Sequence, residues 1–172
     1  MDVSSNLRNC RICPRQCGVN RLENASGYCR SGKLPMISSI CIHHGEEPAI
    51  SGEKGICNVF FAHCNLRCVY CQNHQISRNN VAKAGTELSI DEAAKQIAAF
   101  LDQGIDRVGF VSPTHFSVQM TEIVDALHSS GYFPTIVYNS NGYDEVSTLE
   151  QLSDYIDVYL PDLKYLYKDI AT

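Results

Sequence analysis

No run of this chain approaches the roughly 18 apolar residues that a membrane span requires, so a membrane-embedded protein is not expected. No apolar N-terminal segment with a cleavage site precedes the cysteines, which removes the signal of a secreted disulfide framework. A basic excess is also lacking. The 14 Lys and Arg stand against 19 Asp and Glu, a net charge of −5, and that balance argues against nucleic acid as the main partner. No disordered or collagen-like bias is present, and 172 residues with 44% hydrophobic and 19% charged suit one sizeable globular core.

Cysteine, by contrast, is plentiful. Nine is an odd number, and several cysteines fall in C-x2-C spacings, so reduced thiols serving metal in the cytoplasm are expected rather than disulfides. Charge is unevenly placed. Residues 1–33 carry Arg8, Arg11, Arg15, Arg21, Arg30 and Lys33 against Asp2 and Glu23, net +4, which leaves the remainder at −9. Such a run reads first as a solvated face and second as a surface for an acidic partner or RNA.

The sharpest motif is Cys64-Asn65-Leu66-Arg67-Cys68-Val69-Tyr70-Cys71, three cysteines spaced C-x3-C-x2-C behind the apolar run Val59-Phe60-Phe61. Three thiolates suit a 4Fe-4S cluster with one open iron, since such clusters otherwise take four, whereas a structural zinc site wants a fourth protein ligand. A second group is Cys10-x2-Cys13-x3-Cys17-x11-Cys29, among the turn formers Pro14, Gly18, Gly27 and Gly32. Four thiolates there suit zinc or an auxiliary iron-sulfur cluster, and buried idle thiols are the plain alternative. Between the groups, Cys41-Ile42-His43-His44-Gly45-Glu46-Glu47-Pro48 has ligand-type residues, but adjacent His side chains point opposite ways on an extended chain. It reads as a linker. Cys57 reads as a small buried residue.

From Gly55 the pattern becomes regular. Ile56 to Phe61 has strand length. Ser89-Ile90-Asp91-Glu92 is a capping box, after which Ile90, Ala93, Ala94, Ile97 and Leu101 share a helical face. Strands are expected at 107–111, 135–138 and 156–160, separated by helices around Met120, Ile123, Val124 and Leu127 and over 145–152. This alternation predicts right-handed crossovers and a parallel sheet. Ligands then sit at the carboxyl ends of the strands. Those ends read as the cysteine loop, Ser112-Pro113-Thr114-His115, Asn139-Ser140-Asn141-Gly142 and Pro161-Asp162-Leu163-Lys164. Asp162 and Lys164, at i and i+2, point to one side and can bracket a zwitterion; a surface ion pair is the alternative.

The wording CNLRCVYCQN resembles the cluster motif of the radical S-adenosylmethionine (SAM) enzymes, in the branch around pyruvate formate-lyase activating enzyme. CxxCPRxCGVNR followed by G-x-C resembles an N-terminal segment of an uncharacterised subgroup of that branch. The resemblance implies a 4Fe-4S cluster on Cys64, Cys68 and Cys71, with SAM on the open iron split to a 5′-deoxyadenosyl radical that abstracts hydrogen, and glycyl-radical-enzyme activation as one outcome. It implies Tyr70 near the adenine, Asp162 and Lys164 as the D-x-K element, Asn139 in a TNG-like element, and Ser112 where the branch carries Gly-Gly-Glu. It further implies a flavodoxin- or ferredoxin-like electron donor and a protein substrate. The implied fold is an α/β partial parallel barrel truncated after the fourth strand, with a Cys-rich module over residues 1–54 and an incomplete core domain over 55–172. The competing reading is a non-catalytic zinc or iron-sulfur protein acting in binding or assembly.

Overall fold

The computed structural model describes residues 3–23, 27–80 and 84–165. A short helix α1 (Val3–Arg8) leads through the cysteine-bearing segment to β1 (Met36–His43), the one-turn helix α2 (Pro48–Ser51) and β2 (Ile56–Phe61). After the Cys64–Cys71 loop come α3 (His74–Ser77), β3 (Thr86–Glu87) and α4 (Ile90–Leu101). The remainder is β4 (Arg107–Val111), α5 (Ser117–Ser129), β5 (Thr135–Ser140), α6 (Val146–Leu152) and β6 (Val158–Pro161).

Six strands form one mixed sheet in the order β3-β1-β2-β4-β5-β6. This corrects the expected parallel barrel ending after a fourth strand. The expected strands are present as the parallel set β2, β4, β5 and β6, but β1 pairs antiparallel with β2, and β3 antiparallel with β1. Met36–His43 escaped recognition because a bulge between Ile37 and Ser39 breaks its alternation. Past the bulge, Ile40 and Ile42 still pack against the core. No helix among the described residues is long and apolar enough to cross a membrane.

One sheet face builds the core. Cys57, Val59 and Phe61 of β2, Val108 and Phe110 of β4 and Ile136 and Tyr138 of β5 meet Ile97, Met120, Ile123 and Leu127 of α4 and α5, all with period 2 or 3.6. The capping box starts α4 as read, with Ser89 Oγ accepting from Glu92 N–H at 3.2 Å and Glu92 Oε2 from Ser89 N–H at 2.8 Å. The opposite face carries Asn58, Phe60, Val111 and Asn139, a mixed polar surface that leads up to the carboxyl ends of the parallel strands.

The N-terminal segment is fastened across this frame. Leu7, Cys10 and Ile12 pack with Val118 of α5. Arg21, only 3% exposed, donates to the carbonyls of His115 at 2.6 Å and Gly32 at 2.9 and 3.1 Å. Carbonyl oxygens thus satisfy the buried guanidinium.

Candidate functional site

A cleft of about 540 Å³ opens where the parallel strands end, and Cys64, Cys68, Cys71, Tyr70, Ser112, Asn139, Asp162 and Lys164 all line it. Three of its lining residues, His63, Arg67 and Ser112, hold left-handed backbone conformations with φ of +68°, +64° and +49°. Each costs of order 1 kcal/mol or more for a residue with a Cβ. At Ser112 the turn is fixed by its N–H donating to Asn139 carbonyl at 2.7 Å.

Asp162 and Lys164 form an ion pair. Burial works to lower the Lys164 pKa, but the hydrogen-bonded Asp162 carboxylate overrides it and holds the ammonium above the ordinary lysine range. Asp162 is placed by its own N–H, which donates to Ser140 carbonyl at 2.9 Å, and by Gly142, where any Cβ would overlap the Asp162 carbonyl oxygen. Tyr70 is 55% exposed; its hydroxyl donates to Lys164 carbonyl at 3.3 Å. Its hydrogen bond with Tyr165 and then desolvation push the phenol up to about 12.

Asn65 and Asn141 lock the cysteine loop to the end of β5. Both are buried. Asn141 Nδ2 donates to Asn65 Oδ1 at 2.8 Å and to Cys64 Sγ at 3.3 Å, while Asn65 Nδ2 donates to Tyr143 carbonyl at 2.8 Å. From the other side Arg15 donates to Asn65 carbonyl at 2.9 Å, its guanidinium 3.8 Å from the centre of the Tyr28 ring.

The expected metal chemistry is corrected. Among the described residues no group of three or more His, Cys, Asp or Glu can hold a metal ion. Two of the three sulfurs have partners of their own: Cys64 Sγ accepts from Leu66 N–H and Asn141, and Cys71 Sγ lies 3.2 Å from Ser77 Oγ. Burial, opposed by the Lys164 ammonium and reinforced by the neighbouring Cys64 and Cys71, pushes the Cys68 thiol up. The 4Fe-4S cluster on these three, and the SAM cleavage derived through it, therefore do not fit the arrangement. The same finding overturns zinc or an auxiliary cluster at Cys10, Cys13, Cys17 and Cys29, and with it the metal-binding assembly alternative. Those four line a cavity of only about 10 Å³, all as free thiols, and burial pushes Cys13 up to about 11.

Other expectations are redistributed. Thr114 is fully buried and donates to Asp144 Oδ1 at 2.6 Å, beside the Tyr138 and Ser140 hydroxyls on the same carboxylate. His115 sits in the core with Nε2 at 2.9 Å from Ala62 carbonyl, whereas His63 lines the cleft, and burial lowers its pKa. His43 and Glu46, expected only as ligand-type residues of a linker, also line the cleft. Their signal was the His43-His44-Gly45-Glu46 run, set aside as a linker.

The chain is an α/β protein whose mixed sheet carries a polar cleft at the carboxyl ends of its parallel strands, the position at which such folds hold their ligands. The radical SAM superfamily model matches residues 58–171, well over half of the chain, and the chain belongs to that superfamily. A Methanocaldococcus jannaschii protein described only as uncharacterized is 32% identical over 171 residues, covering 96% of this chain and 48% of that protein. The chain thus spans about half the length of this curated relative. No solved structure matches the chain.

Proposed function

We propose that the cleft binds a small ligand with an amino-acid head group, in an enzyme of the activating-enzyme-like branch. The observation that carries the binding proposal is the Asp162–Lys164 pair at the cleft wall. Asp162 receives the ligand ammonium and Lys164 its carboxylate, so an intramolecular ion pair is exchanged for two charge-assisted contacts to the ligand. Ser112 and Asn139 offer hydrogen-bonding groups from β4 and β5, and the half-exposed Tyr70 ring offers a face to an aromatic part of the ligand.

The branch assignment is supported by the wording CNLRCVYCQN. An oxidoreductase-type activity, a protein substrate and an electron-donor partner follow from that resemblance and belong to the same proposal.

Titration calorimetry of the full chain with methionine and with S-adenosylmethionine tests the head-group site. Lys164→Met and Asp162→Asn should each weaken binding at least tenfold, about 1.4 kcal/mol, while far-UV circular dichroism stays unchanged. Equal affinity in wild type and both variants would refute the assignment.

A further inference from the structure

The connection between β1 and β2 brings a second polar group to the cleft, one that the head-group site does not use. Glu46 Oε1 accepts a 2.9 Å hydrogen bond from Asn58 Nδ2 and stands 4.0 Å from His43 Nε2. Asn58 is 1% exposed in the middle of β2. It lies over β4 because its register partner there is Gly109, where any Cβ would overlap the Asn58 carboxamide oxygen. The glycine makes room for the amide, and the amide fixes the carboxylate. Phe60, two residues along the same face, sets its ring edge-on to His43 at 6.4 Å, and His43, Glu46 and Phe60 all line the cleft.

The charge is what makes this group informative. The Glu46 side chain is 16% exposed, and its ion-pair partner among the described residues is His43 alone, with no lysine or arginine. A part-buried carboxylate with one oxygen held by an amide and the His43 ring beside it is placed to accept a cation that arrives from the cleft. An organic ammonium meets both features, through the carboxylate and through the ring faces.

The position separates the carboxylate from Asp162 and Lys164. Glu46 is held at Asn58, in the middle of β2, whereas the cysteine loop follows the end of that strand at Phe61. Three residue steps at about 3.3 Å each put the carboxylate roughly 10 Å along the strand from that end, on the side of the β1–β2 connection.

We propose that Glu46, His43 and Phe60 form a second subsite, on the β1–β2 side of the cleft, that binds the primary ammonium group of a small aliphatic amine substrate. This deepens the reading of the cleft as a ligand site, but it does not depend on the head-group role of Asp162 and Lys164.

The test is binding of n-butylammonium to the full chain, followed by ligand-observed NMR and calorimetry, with 1-butanol as the neutral isostere. A single such contact is expected to bind in the millimolar range, and Glu46→Gln should weaken it at least tenfold. The carboxamide that this substitution introduces can still accept from Asn58, and an unchanged melting temperature checks that the fold is kept. Phe60→Leu, which leaves Glu46 in place, should weaken binding about threefold through loss of the ring. Equal binding of 1-butanol, unchanged binding in Glu46→Gln, or no amine binding overturns the subsite. Loss of amine binding in Asp162→Asn also overturns it, because the amine then occupies the head-group site. Methionine failing to bind while butylammonium does would remove the head-group reading and leave this one standing.

Discussion

Asn141 donates to Asn65 across 76 residues of sequence, at 2.8 Å and out of reach of solvent. The same amide accepts from Tyr143 N–H at 2.9 Å. Replacing Asn141 by Ala leaves Asn65 Oδ1 and Tyr143 N–H without these partners. An unsatisfied buried group costs about 1–3 kcal/mol. Urea unfolding should show a loss of that size, and a change below about 0.5 kcal/mol, the range of ordinary surface substitutions, would mean that the amide pair is not holding the loop.

Gly142→Ala should damage the rim without touching its charges. Residue 142 has φ of +75°, and an added Cβ would overlap the Asp162 carbonyl oxygen. The left-handed conformation alone costs about 1–2 kcal/mol for alanine. Displacement of Asp162 should then appear as weaker methionine binding, in excess of any drop in melting temperature. Binding at wild-type affinity would show that Asp162 is placed by other contacts.

Acid should destabilise the fold through His115. Burial pushes its pKa from 6.5 down to about 3, and its Nδ1 has no hydrogen-bond partner. Below about pH 6.5 the unfolded chain takes up a proton that the folded one refuses, so stability falls as pH drops from there toward 3. The slope approaches about 1.4 kcal/mol per pH unit. Above pH 6.5 this group contributes no dependence. His115→Gln can keep a donor toward the Ala62 carbonyl and should flatten that part of the profile in pH-dependent urea melts.

Thiol labelling should follow burial. Cys57 is fully buried, and burial pushes it up to about 12, with Cys41 adding to the effect. Cys13 stands at about 11, mainly through burial. Cys17 is exposed. Because the thiolate is the nucleophile, iodoacetamide followed by peptide mass mapping should find Cys17 modified in the native protein, and Cys13 and Cys57 only after denaturant. Equal native rates at Cys17 and Cys57 would contradict the packing around β2.

The helical half of the fold was legible because its signals are local. The Ser89 and Glu92 cap and the Ala93, Ile97 and Met120, Ile123, Leu127 faces need no distant partner to be recognised. β1 was hidden because its bulge breaks the alternation and because His43 and His44 look like ligands rather than strand-end residues. The convergence of the four strand ends on one cleft could be read from topology. What each polar group does there could not. Asn141 is spent on Asn65 and Cys64, and Thr114 on Asp144, pairings that depend on distances between loops far apart in sequence. The thiol spacing showed which cysteines share a loop, but not that the Cys64 sulfur meets Leu66 N–H and Asn141 and the Cys71 sulfur meets Ser77.

The contacts of the N-terminal segment are long-range. Arg15 meets Asn65, Arg21 the carbonyl of His115, and the carbonyl of Ile12 the hydroxyl of Thr148, at separations of 50, 94 and 136 residues. Closing loops of that length is entropically costly, so the burial of Cys10 and Cys13 depends on parts of the chain far downstream rather than on the segment that carries them.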